Sequence, residues 1–123
     1  MNDRPLLVLT APGDENIPLL PELRQMATIV VGNSVGDFAT AGVDAEIILN
    51  WTGPLGLLRE VFLLSRRVRW IHSRAAGLEA TLFPELIASN VIVTNSRGIF
   101  SPSLGEFARR FRRTSSYLCR WLP

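Results

Sequence analysis

Short continuous apolar runs alternate along this chain with stretches whose apolar residues recur at helical spacing. Leu6 to Thr10 (LLVLT) predicts a buried strand, ended by the Pro12-Gly13-Asp14 turn. In the stretch from Ile17 to Ala27, Ile17, Leu20, Leu23 and Ala27 fall at helical spacing. Pro18 and Pro21 sit early in it, where a missing amide donor costs least. Thr28 to Val31 predicts a second strand, stopped at Gly32-Asn33, and Asp37 to Ala41 a single helical turn ending at Gly42. Glu46 to Leu49 predicts the third strand, and Gly53-Pro54 opens a strongly apolar helix to about Arg67. Val68 to His72 is the fourth strand, Leu82 to Ser89 a short helix, and Val91 to Thr94 the fifth strand.

Strand–helix alternation with short connections predicts a parallel sheet covered on both faces, whose strands read as unbroken apolar runs. The expected fold is a flavodoxin-like α/β domain with five parallel strands. In such sheets ligands gather outside the carboxyl ends of the strands. The loops to inspect are therefore residues 11–16, 33–36, 50–54, 73–77 and 95–101.

Composition sharpens this picture at one place only. A length of 123 residues suits one domain, and 47% hydrophobic with 20% charged residues is ordinary for a chain with a real core. The net charge of +2 is unevenly spread: all thirteen basic residues are arginine. Residues 1–108 hold eight arginines and all eleven acids, whereas residues 109–123 hold five arginines and no acid. The basic character belongs to a short tail, so neither nucleic acid nor a membrane surface is an expected partner. No apolar stretch approaches the roughly 20 residues that cross a bilayer, and no leader pattern precedes Leu6. The single Cys119 cannot form an internal disulfide, which agrees with a cytoplasmic setting.

Several positions invite chemistry, each beside a plainer reading. Ser73-Arg74-Ala75-Ala76-Gly77 reads first as a tight strand-to-helix turn, and as the alternative a cradle of backbone amides for a carboxylate or phosphate. Asn95-Ser96-Arg97-Gly98 leads to a helix start, with Ser101 as cap and Pro102 in the first position. His72, the only histidine, lies inside an apolar strand and reads as structural. Arg66, Arg67 and Arg69 end a helix where its dipole favours cations. Cys119 has electropositive neighbours but sits in the tail. GxGxxG, GxxxxGK[ST] and HExxH are all absent from the sequence.

Taken as a unit, residues 69–108, with Arg69-Trp-Ile-His-Ser-Arg-Ala-Ala-Gly77, Val91-Ile-Val-Thr-Asn95 and Ser101-Pro-Ser-Leu-Gly-Glu106, resemble the D-isomer-specific 2-hydroxyacid dehydrogenases. The order of elements extends the resemblance to about residues 5–108. It implies the flavodoxin-like substrate-binding domain of a two-domain enzyme of the glyoxylate/hydroxypyruvate reductase kind. By that resemblance the amides of Ala76 and Gly77 bind the carboxylate of a 2-oxo or 2-hydroxy acid. Trp51, Thr52 and Gly53 border the same pocket. Asn95 lies near the domain junction, and Glu106 starts the helix that crosses to the cofactor domain.

The pattern departs from the family after Ala108, where an Arg-rich run replaces the crossing helix and the Rossmann domain. The expected division is residues 1–108 as substrate-binding domain and 109–123 as an aberrant tail from a frameshift, altered splice or misplaced gene end. The family's catalytic Arg, Glu and His have no counterparts here, so no catalytic residue is assigned. NAD or NADP is the family's cofactor, and none is expected to bind this chain alone. Two other readings stay open: a non-enzymatic binding or regulatory module pairing with a full-length relative, and a partner-binding basic tail. Exposed apolar surface left by the missing half is expected to drive self-association.

Overall fold

The computed structural model describes residues 5–13, 20–74 and 82–95. Five strands, β1 (Leu6–Leu9), β2 (Ile29–Gly32), β3 (Ile47–Asn50), β4 (Trp70–Ser73) and β5 (Ile92–Asn95), form one sheet in the order β2-β1-β3-β4-β5. Every neighbouring pair is parallel. The helices are α1 (Leu20–Met26), α2 (Leu57–Leu64) and α3 (Pro84–Ile87), with short 3-10 turns at Val35–Phe38 and Ala41–Val43. This is the flavodoxin-like α/β arrangement.

Successive residues of a strand point to opposite faces, and β1 divides accordingly. Leu6 and Val8 pack with Ile47, Leu49 and Trp70, covered by Leu23 of α1. Leu7 and Leu9 pack on the other face with Ile48 and Ile71, under Phe38, Leu57, Val61 and Leu86. Helices therefore cover both faces. Each fully buried Leu or Ile contributes about 1.5–3 kcal/mol, whereas helices as short as α3 are marginal alone. The sheet faces, rather than helix propensity, hold the elements in place.

β1 starts at Leu6 as its apolar run predicts, whereas β2 to β5 start one or two residues later than theirs. The difference is plainest at β4. Val68 is spent in a turn, its amide donating to Ser65 O at 3.3 Å. The amides of Arg69 and Trp70 then both donate to Glu46 O, at 2.7 and 3.2 Å, and pairing begins at Ile47 with Trp70. Helix α2 is shorter than its apolar pattern because Gly56, at φ +87°, turns the chain just before Leu57, and Ser65 leaves helical geometry after Leu64. Phe83 is extended before Pro84, as a pre-proline residue prefers, so α3 starts at the proline. An edge-on contact between Phe62 and Phe83, with ring centroids 5.3 Å apart, joins α2 to the segment entering α3. Arg59 adds a two-pronged bond from α2 to Glu85, at 3.1 and 2.6 Å.

Candidate functional site

The strand registers line up one residue of each strand at the carboxyl edge. Leu9 pairs with Gly32 on one side and Asn50 on the other, Asn50 with Ser73, and Ser73 with Asn95. The connection out of β1 leads to β2, while β3 lies on β1's other side. The topological switch point, where open α/β sheets form their crevice, is therefore between the ends of β1 and β3.

The loop after β3 folds back across that point. Both Trp51 and Thr52 amides donate to Leu9 O, at 3.0 and 3.1 Å. The Thr52 hydroxyl accepts from the Ala11 amide at 3.0 Å, so the loops after β1 and β3 are tied by side chain as well as backbone. Gly53 occupies a place with no room for a side chain. A Cβ there would lie 2.7 Å from Asn50 Oδ1 and 3.0 Å from Leu9 Cβ. Asn50 Oδ1 is itself buried without a hydrogen-bond partner among the described residues.

Beyond β4, the Arg74 amide donates to Asn50 O at 3.0 Å, which turns the residue toward the β3 loop. Its guanidinium carbon then sits 4.9 Å from the centroid of the Trp51 ring. The ring face attracts the cation, and stacking leaves the edge donors of the guanidinium to other partners. Among the described residues Arg74 makes no ion pair. An exposed arginine held by an aromatic platform at the carboxyl edge is suited to a carboxylate.

The same edge also carries a fixed acid group, away from Trp51. Asp37 Oδ2 accepts from the amides of Asn33 and Ser34, at 3.0 and 3.2 Å, and from the Ser34 hydroxyl at 3.3 Å. Those two amides hold its carboxyl below the ordinary range. This carboxylate closes the turn after β2.

His72 is fully enclosed in β4, on the face it shares with Trp70. Thr94 lies opposite it in register on β5. Thr94 Oγ1 accepts from Trp70 Nε1 at 2.8 Å and lies 2.7 Å from His72 Nδ1. The histidine is thus part of a three-residue polar bridge between two strands, beyond the reach of a ligand in solvent. Trp51, Thr52, Gly53 and Arg74 are brought together, and β5 places Asn95 at the same edge two strands from β3. Ala76, Gly77 and Glu106, with Cys119 and the Arg-rich tail, lie outside the described residues.

Two contributors escaped the sequence reading. Asn50 falls at the start of the expected loop 50–54, yet it is the last residue of β3, and only the register shows it at the switch point. Arg74 was read as part of a glycine loop, since nothing in the spacing reveals that it lies over Trp51.

Two positions in the turn after β1 have no free amide for a dinucleotide's pyrophosphate. In dinucleotide-binding sheets the turn after the first strand offers free amides to a pyrophosphate. Here the Ala11 amide is taken by Thr52, and Pro12 has no amide hydrogen. No group of three or more metal-ligating side chains occurs among the described residues, and none of their helices is long and apolar enough to cross a membrane. In comparisons with models of protein families, with curated proteins and with solved structures, nothing matches this chain.

Proposed function

We propose that this chain is the substrate-binding portion of an NAD(P)-dependent oxidoreductase that interconverts 2-oxo acids and D-2-hydroxy acids. The observation that carries the reading is the Arg74 guanidinium stacked on Trp51 beside Thr52 and Gly53, at the carboxyl edge of a flavodoxin-like sheet. The resemblance of residues 69–108 supports it independently of that geometry.

In this reading the chain binds and orients a small acid and does no redox chemistry itself. Arg74 neutralises the carboxylate, Trp51 forms the apolar wall, and the Thr52 bridge holds the two loops at fixed separation. The nicotinamide would supply the hydride from a partner domain. No step through it involves the residues described above.

Calorimetric titration of glyoxylate into the full chain tests the proposal. Arg74→Gln is expected to weaken binding by about tenfold or more, the worth of a charge-assisted bond. Equal affinity in the variant and the parent would overturn the assignment of Arg74 to the carboxylate.

A further inference from the structure

At the opposite end of the sheet, below the amino ends of β3, β4 and β5, lies an open cleft of about 660 Å³. That is ample for a small organic ligand. Phe62 and Val91 give it apolar walls, and Arg66, Arg67 and Arg69 line it as well. None of the three guanidinium groups makes a hydrogen bond or ion pair among the described residues. Glu46, the one acid among the described lining residues, is only 4% exposed and is engaged in an interaction of its own.

We infer that this cleft binds a small phosphate ester with an apolar or aromatic body. Three arginines lining one cavity produce a positive potential that a single carboxylate only partly offsets. Guanidinium groups match phosphate oxygens through paired N–H bonds. A dianionic phosphate meets this charge better than a monocarboxylate does. The apolar walls require more than the phosphate alone, because an inorganic ion would leave Phe62 and Val91 in contact with water. The site is separate from the carboxyl edge and does not depend on the function proposed there. Both ends nevertheless share elements: α2 runs from the Gly53 loop to Phe62, and β4 separates Arg69 from Arg74.

Phenyl phosphate titrated into the full chain, followed by calorimetry at fixed ionic strength, tests the inference. Saturable binding at one site is expected, with inorganic phosphate and benzyl alcohol each binding more weakly. The double variant Arg66→Gln/Arg67→Gln should lose about tenfold or more in affinity, as removal of charge-assisted bonds predicts. Arg112→Gln/Arg113→Gln, in the tail, should leave the affinity unchanged. Absence of saturable binding would overturn the inference, as would a loss in the tail variant equal to that in the cleft variant. Equal affinity for inorganic phosphate would overturn the apolar part of the assignment. Both double variants change only arginines, and a thermal melt of each serves as the control for folding.

Discussion

The guanidinium of Arg74 lies 4.9 Å from the centre of the Trp51 ring, which brings the ends of β4 and β3 to one point. A planar cation on a ring face is held in orientation as well as in place. Lysine would keep the charge and lose the plane. Arg74→Lys is therefore expected to bind glyoxylate more tightly than Arg74→Gln and more weakly than the parent chain. Calorimetry on the three proteins checks this order.

Gly53 and Gly56 separate two reasons for glycine in the same loop. At Gly53 a Cβ would lie 2.7 Å from Asn50 Oδ1, a side-chain end that can shift, and 3.0 Å from Leu9 Cβ, which the strand backbone fixes in place. Gly53→Ala should cost about 1–3 kcal/mol through overpacking. At Gly56 nothing lies within 4 Å, but φ is +87°. Gly56→Ala should cost about 1–2 kcal/mol through left-handed strain alone. Urea unfolding measures both, and a ligand titration distinguishes them: only Gly53→Ala disturbs the Trp51 loop.

The Trp70–Thr94–His72 bridge carries a stability prediction. Valine in place of Thr94 keeps the shape and removes the acceptor for Trp70 Nε1 and the partner of His72 Nδ1. Thr94→Val should destabilise by about 1–3 kcal/mol, the cost of stranding a buried polar group. Chemical denaturation checks the value, and the Trp70 indole proton should shift in the variant's NMR spectrum.

Asp37 gives an acid-sensitive turn. Backbone amides from Asn33 and Ser34 lower its pKa from an ordinary 3.8, so the folded state favours the carboxylate. Its stabilising contribution is complete above the unfolded value and is lost as pH falls through the lower folded value. An NMR titration of the Asp37 carboxyl should give a midpoint below 3.8. A midpoint at or above that value contradicts the two-amide arrangement. Asp37→Asn should remove this part of the acid response.

The sheet was legible because each strand is a compact apolar run set off from the next by turn residues or a helical stretch. LLVL, IVVG and IILN need no tertiary information to be read as buried strands, and their spacing implies parallel crossovers. Boundaries were harder to read, because pairing decides them. Val68 looks like a strand residue, yet Glu46 O receives its amides from Arg69 and Trp70. The candidate site was legible as a set of loops and not as contacts. Trp51 and Arg74 are twenty-three residues apart in sequence, and only the register of β3 with β4 brings them together. His72 could be read as structural from its apolar strand, although its partner Thr94 lies on a strand reached through a helix.

Amide chemical-shift mapping on the full chain during a glyoxylate titration tests the central claim most directly. Saturable shifts gathered at Trp51, Thr52, Gly53 and Arg74, and absent in Arg74→Gln, are the predicted result. Shifts confined to the Arg66–Arg69 end of the sheet, or no saturable shifts at all, would contradict a carboxylate site at the carboxyl edge.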